Sequence, residues 1–130
     1  MRKKIIVVAV VAAITAGTVL FATWGAQAHT TSFTSIVTIH QVDSRLKVAG
    51  SVRSPTAECR LHRAVTVLRK RPGPDAKVAT VSTGSDRFWG PVRVHRRGTY
   101  YAHVARVVHP HYSGAHTCLA DKSDPIFVSR

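Results

Sequence analysis

The residues GTYYAHVARV, 98–107, alternate in side-chain character and predict a β-strand with one buried face. Tyr100, Ala102 and Val104 share one side of this strand, and the residues between them share the other. On both sides of this strand, the chain after residue 28 shows no helical spacing of apolar residues. It has short runs of Val, Ile, Thr and Tyr separated by Gly, Pro, Asp and Ser. The sequence therefore predicts an all-β fold.

The predicted strands number seven, which is the usual count for a two-sheet β-sandwich. The segment Arg96–Gly98 is typical of a tight turn, so we expect the strand at 98–107 to pair with the run just before it. Two long connections, Ser54–Arg63 and Pro110–Asp124, each carry one cysteine. The seven predicted strands are Phe33–His40, Arg45–Arg53, Ala64–Arg71, Lys77–Thr83, Pro91–Arg96, Thr99–Val108 and Ile126–Arg130.

Residues 1–28 have the composition of a secretory signal peptide. A cationic start precedes an apolar run from Ile5 to Phe21, and Ala26 and Ala28 form a small-x-small cleavage pattern. We expect a signal-peptide helix that is cleaved after Ala28, which leaves residues 29–130 as a single secreted β-sandwich domain. An uncleaved signal anchor is the alternative. No later apolar segment is long enough to cross a bilayer.

Cys59 and Cys118 are the two cysteines of the chain, and both follow the leader. In an oxidising compartment such a pair in a small domain is most simply one disulfide. Closing a loop of about 60 residues would stabilise the domain by roughly 4 kcal/mol on the chain-entropy account. Neither cysteine has a second cysteine at ligand spacing, which argues against a zinc site made of thiolates.

The run TVSTGSDRFWGPVRVHRRGTYYAHVA, 80–105, with KVAGSVRS and AVTVLRKR before it, resembles the carboxypeptidase-regulatory-like or transthyretin-like β-sandwich family. That family has a G-x-V strand, a V-x-V strand, a threonine-containing strand, a D-x-F turn and a G-T-Y strand in this order. The chain is most similar to the small arginine-rich, single-disulfide members that actinobacteria export. The resemblance covers 45–108 and implies an immunoglobulin-like or transthyretin-like sandwich with an accessory or binding role. Arg87 departs from the pattern, because family members usually place glycine there.

The chain is strongly basic. Three of its 19 Lys and Arg residues lie in the leader, which leaves 16 basic against six acidic residues, an excess of ten positive charges. Such a balance favours anionic partners, and we expect an anionic cell-wall polymer or an acidic glycan at the envelope rather than a specific nucleic acid. A genome that favours arginine codons is the alternative explanation, since 12 of the 16 are arginine.

Basic residues are interleaved with aromatic ones in the second half of the chain. Tryptophan and tyrosine stack on sugar rings, while arginine pairs with carboxylate or phosphate, so such residues on one outer face would form a binding surface. The alternative is that Trp89 anchors a hairpin corner and that the tyrosines fill the core. The residues predicted to form this face are Arg87, Trp89, Arg93, His95, Tyr101 and His103.

The eight histidines are a high number for a domain of this size, and HPHYSGAH, 109–116, contains three of them. Imidazole is the commonest metal ligand, but this spacing matches no closed zinc pattern and no acidic residue stands beside it in the sequence. We therefore expect a solvated loop and no cofactor. The alternative is a copper protein in which a mature N-terminal His29 acts with a second histidine. The metal ligands in that alternative are His29, His103, His109, His111 and His116.

No catalytic pattern is present in the sequence. Five of the acidic residues are aspartates in turns, where Asp is common for backbone reasons, and Glu58 is the sole glutamate. Neither a Ser-His-Asp arrangement, nor a pair of carboxylates flanking a cleft, nor a phosphate-binding glycine loop is indicated. The sequence predicts a monomeric, non-enzymatic binding or accessory domain.

Overall fold

The computed structural model describes residues 29–130, and this part of the chain is all-β, as predicted, with one short 3₁₀ helix at Ala57–Cys59. The predicted signal-peptide helix and its cleavage site lie outside the described residues. No helix within residues 29–130 has the length and apolar character needed to cross a membrane. The strands are β1 His29–Phe33, β2 Ile36–Val37, β3 His40–Gln41, β4 Lys47–Arg53, β5 Ala64–Arg69, β6 Ala76–Ser82, β7 Phe88–Arg93, β8 Gly98–Val104, β9 Val107–His111, β10 Gly114–Cys118, β11 Asp121–Lys122 and β12 Ile126–Val128.

These twelve strands form three sheets within the described residues. One sheet has the order β11-β8-β5-β6, and β12 also pairs with β8. A second has the order β2-β4-β3, and β7 also pairs with β4. The third is small and has the order β1-β10-β9, with β1 parallel and β9 antiparallel to β10.

The two larger sheets share one hydrophobic core. Each strand contributes alternate residues, as β4 shows with an exposed or half-buried residue between every two buried ones. Tyr100, Ala102 and Val104 are buried, as the alternation at 98–107 predicts. The core residues are Val37, Ile39, Val48, Val52, Val65, Val67, Trp89, Val92, Val94, Tyr100, Ala102, Val104 and Val128.

Gly50 explains how the largest of these side chains fits. A Cβ atom at this position would lie 2.7 Å from the Trp89 ring and 1.8 Å from the backbone oxygen of Thr38. Because glycine has no Cβ, the indole can pack directly over β4, and Trp89 is only 2% exposed.

The predicted hairpin between residues 91–96 and 98–107 is wrong. β7 pairs with β4 and β8 pairs with β5, so the two strands belong to different sheets. The amide of Val94 donates to the Leu46 carbonyl at 2.9 Å and keeps this segment with β4 until the chain crosses over at 95–97. Alternation identified a buried side of each strand but could not show that the two strands belong to different sheets.

The predicted long connection Pro110–Asp124 is also wrong, since β9 and β10 form an antiparallel hairpin there. The predicted single strand Phe33–His40 is divided into β1, β2 and β3 because Phe33 pairs with β10 whereas Ile36 pairs with β4. A strand-forming sequence can pair with either of two neighbouring strands. The sequence alone therefore does not show where the chain passes from one sheet to another.

Candidate metal centre

The small sheet places several histidines on one face. In its register Gly114 pairs with both His29 and His111, and His116 pairs with His109. Residues that pair directly across strands point to the same face, and so do residues two apart along a strand. All four histidines of the β1–β10–β9 sheet therefore share a face.

Glu58, from the 3₁₀ helix, reaches this face. A Glu58 carboxylate oxygen lies 2.8 Å from Nδ1 of His116 and the other lies 3.0 Å from Nε2 of His111. Nδ1 of His109 is 3.8 Å from the same carboxylate. The ligand atoms of Glu58, His111 and His116 all lie within 4.8 Å of one another. We call these three residues the Glu58 centre.

The disulfide holds the two halves of the Glu58 centre together. Cys59 follows Glu58 directly, and Cys118 lies two residues after His116 on the same face of β10. The two cysteines are bonded, as predicted, with their Cα atoms 5.4 Å apart. The disulfide therefore holds Glu58, the only glutamate in the sequence, next to the histidine face.

The side chain of Arg63 holds the 3₁₀ helix in place. Its guanidinium donates to the carbonyl oxygens of Cys59 at 3.0 Å, Ala105 at 2.7 Å and Leu119 at 3.0 Å, and to Ser35 Oγ at 3.1 Å. The side chain is 3% exposed, and this burial lowers the pKa of the guanidinium. Arg63 thus ties the 3₁₀ helix to the segments that follow β8 and β10.

Electrostatics at the Glu58 centre favour an ionised carboxylate. The hydrogen bond from His116 lowers the pKa of Glu58 most, and burial opposes it as the next largest effect. The hydrogen bond from His111 and the charges of His111 and His109 lower the pKa further, so that the net direction is downward. The side chains of Glu58, His111 and His116 are 27%, 42% and 37% exposed, so solvent and ions reach them. The imidazole of His116 is also held edge-on by the Phe33 ring, at 5.2 Å between centroids.

These distances suit a transition metal. A tetrahedral ion with bonds of about 2.0–2.1 Å to nitrogen and oxygen has ligand atoms about 3.3 Å apart. The 2.8 and 3.0 Å separations of Glu58 from the two imidazoles are within about half an ångström of this value, and the two imidazole nitrogens lie within 4.8 Å of each other. One carboxylate and two imidazoles leave a fourth position, which His109 or water can fill.

Three of the five predicted metal ligands, His109, His111 and His116, lie at Glu58. His29 shares their face of the small sheet, where it pairs with Gly114, but it is not among the residues whose ligand atoms come together. His103 lies on β8 of another sheet, where it pairs with Thr66 and Lys122. Glu58 was missed, and the absence of an acidic neighbour to the histidines in the sequence is misleading because the acidic residue arrives from 58 positions away. The signal that could have found it is the disulfide, which joins the residue after Glu58 to the strand of His116.

The six residues predicted to form one aromatic and basic face are dispersed. Trp89 is in the core, and Tyr101 is 6% exposed with its hydroxyl donating to Asp75 at 2.5 Å. Arg87 lies over the neighbouring Phe88 ring, 5.1 Å from its centroid. His103 is on the sheet of Tyr101, whereas Arg93 and His95 line a separate cavity.

The hydrogen bond from Tyr101 to Asp75 raises the pKa of the Tyr101 phenol and lowers the pKa of the Asp75 carboxyl, which favours a neutral phenol beside an ionised carboxylate. Trp89 and Tyr101 thus serve the fold. No protein family, curated protein or solved structure matches the chain.

Proposed function

We propose that the protein is a secreted, non-enzymatic domain that binds a transition-metal ion at the Glu58 centre. The observation that carries this proposal is the approach of one carboxylate and two imidazoles to within 4.8 Å of one another on a disulfide-linked scaffold. Export is supported by the signal-peptide pattern of residues 1–28, and an oxidising compartment is consistent with the disulfide.

The proposed architecture is an immunoglobulin-like or transthyretin-like sandwich formed by the two larger sheets. The support is that both sheets contribute to one hydrophobic core and that the strand motifs of 45–108 resemble that family. The small β1–β10–β9 sheet is an addition to this arrangement, and it carries the histidine face.

Copper(II) is the metal we propose first and zinc second. Imidazole nitrogen suits both ions, and affinity at a given nitrogen and oxygen site is highest for copper(II) among the divalent first-row metals. Calcium and magnesium prefer a shell made of oxygen, which two histidines do not supply. His109 is the proposed fourth ligand because its Nδ1 atom already lies 3.8 Å from the carboxylate.

The Glu58 centre does not depend on a free N-terminal amine. His29 lies on the same face as His111, so cleavage after Ala28 would add an amine and an imidazole near the centre without creating it. An extra residue placed before His29 should therefore leave most of the affinity intact. A brace built on His29 would instead lose tight binding with that extension.

The test is calorimetric titration of the exported protein with copper(II) and with zinc. We expect one ion per chain, and we expect His116→Gln and Glu58→Gln each to weaken binding by about 100-fold or more, since even supporting residues of metal sites are worth about 10–100-fold. His103→Gln is the matched control and should bind like the parent protein. Equal affinity in His116→Gln and His103→Gln would refute the assignment.

A second candidate function is attachment to an anionic cell-wall polymer or acidic glycan at the envelope. The specific support is the excess of ten positive charges after residue 28. Attraction between exposed charges is screened within about 8 Å at physiological ionic strength, so retention on such a polymer should fall as salt rises. A protein that passes unretained through an anionic polymer at low salt would exclude this function.

A further inference from the structure

The cavity that includes Arg93 and His95 is lined mainly by basic residues, and its other lining residues, Ser44, Leu46 and Val94, are uncharged. Its volume is about 520 Å³, and it lies beside the turn between β3 and β4. Arg45, Lys47 and Arg130 also line it, and no residue of its lining in the described chain is Asp or Glu. We call these five residues the cationic pocket.

Two members of the cationic pocket face each other across a sheet. Lys47 on β4 pairs directly with Arg93 on β7, next to the buried pair of Val48 and Val92. Like charges opposite one another destabilise a sheet. Within residues 29–130 no carboxylate lies within ion-pair distance of either side chain. An anion bound between them would remove this repulsion.

The fold brings the other two arginines to the same place. The amide group of Gln41 donates to the Arg45 carbonyl at 2.9 Å and also to the Ser129 carbonyl, so one side chain ties the turn to the residue before Arg130. The turn itself is tight, because Asp43 and Ser44 both have φ of 51°. Non-glycine residues rarely adopt this conformation, and in this turn two consecutive residues do so.

We infer that the cationic pocket binds an oxyanion group, carboxylate or phosphate, carried on a sugar unit of an acidic glycan. Arginine suits this chemistry because its planar guanidinium forms paired hydrogen bonds to carboxylate and phosphate oxygens. The cavity volume falls within the range of about 300–1,000 Å³ that is typical of small-ligand sites. This inference rests on the second candidate function and names the place where the polymer binds.

The probes for the experiment are polygalacturonate, which carries carboxylates on its sugar units, and a phosphomannan, which carries phosphate groups on its sugar units. Binding of the exported protein to each is compared for the parent chain, for Arg45→Gln with Arg130→Gln, and for Arg97→Gln with Arg106→Gln. Both double variants lose two positive charges, but Arg97 and Arg106 are exposed and lie outside the pocket lining. A thermal unfolding curve for each variant confirms that it is folded.

We expect the pocket variant to lose about tenfold or more in affinity for at least one polymer, as central contacts of a binding site do, and the control variant to lose less than about threefold. The more strongly bound polymer identifies the oxyanion. Galacturonate or inorganic phosphate, added alone as a competitor, distinguishes recognition of the sugar unit from recognition of the free anion.

Equal losses in the two double variants, with the parent chain still binding, would overturn the pocket and leave polymer attachment standing as a property of diffuse charge. A parent chain that binds neither polymer at low salt would overturn both. Competition by inorganic phosphate as strong as by the polymer would overturn the glycan and leave an anion site alone.

Discussion

The Glu58 centre and the hydrogen bonds of the Arg63 guanidinium both involve the short helix Ala57–Cys59, yet their chemistry differs. Arg63 is 3% exposed and meets only carbonyl and hydroxyl oxygens within the described chain. Glu58 is half-buried and meets titratable imidazoles whose nitrogen lone pairs can serve a metal. The charged Arg63 side chain donates its hydrogen bonds mainly to the backbone and therefore stabilises the fold. The imidazoles at Glu58 are open to solvent, so a metal ion can reach their nitrogen atoms.

Loss of the disulfide should have the largest effect, because it supports both regions. Replacing Cys59 and Cys118 by alanine should lower the free energy of unfolding by about 4 kcal/mol, since the unfolded chain regains the freedom of a long loop. Urea denaturation measures this change. Copper affinity should fall together with stability, because the covalent link between the residue after Glu58 and the strand of His116 is then lost. Unchanged copper affinity in a folded double variant would show that the disulfide does not position the centre.

Substitution of Arg63 should have the next largest effect on the free energy of unfolding. Arg63→Met keeps a long side chain but leaves the carbonyls of Cys59, Ala105 and Leu119 without donors, at a cost of about 1 kcal/mol or more each. We therefore expect a loss of about 3 kcal/mol in urea denaturation. Arg53→Met is the control, because Arg53 is exposed at the end of β4, and it should change stability by less than about 0.5 kcal/mol. Similar losses for the two variants would contradict the network.

A substitution at the contact between β1 and the β9–β10 hairpin should have a smaller effect on stability. It should affect the small sheet without affecting the core. A Cβ atom at Gly114 would lie 2.2 Å from the His29 carbonyl oxygen, so Gly114→Ala should displace β1 and cost about 1–3 kcal/mol. Hydrogen exchange should show β1 losing protection while β5 and β8 keep theirs. Gly73→Ala is the control, because nothing lies within 4 Å of a Cβ there.

The smallest expected effect is on the pH dependence of stability without metal. The folded state lowers the pKa of Glu58, so its ionised carboxylate stabilises the fold above the ordinary value of 4.5, and that contribution is lost as pH falls through the lowered value. Glu58→Gln should flatten this acidic part of the profile and leave the rest unchanged. A profile identical to that of the parent chain would show that the carboxylate gains nothing from His116 and His111.

Metal binding should also weaken in acid. Protons compete with a metal ion for imidazole nitrogen and carboxylate oxygen, so copper affinity should be lower at about pH 5 than at about pH 7.5. Titrations at the two pH values measure this change. Affinity independent of pH would argue for an oxygen-based site elsewhere.

Much of the fold could be predicted because β-strand alternation is a local property. Strands β4, β5 and β6 lie where the sequence places them, and Tyr100, Ala102 and Val104 of β8 are buried as the pattern of 98–107 predicts. The prediction of a single buried face is wrong at Tyr101, which lies on the other side of β8 and is buried as well. Pairing partners were not predictable in the same way. The segment before β8 has the turn residues of a hairpin, yet its hydrogen bonds go to β4, because the choice between two neighbouring strands depends on the packing of both sheets.

By itself the sequence determined the all-β class, the basic charge and the disulfide, since composition, alternation and a lone cysteine pair do not depend on the other contacts of a residue. Only the tertiary structure decided that Trp89 is buried, that Glu58 meets His111 and His116, and that Lys47 faces Arg93. The physical reason is sequence separation. A site made from residues 58 positions apart exists only after a helix, a hairpin and a disulfide have folded together, and no local pattern encodes that distance.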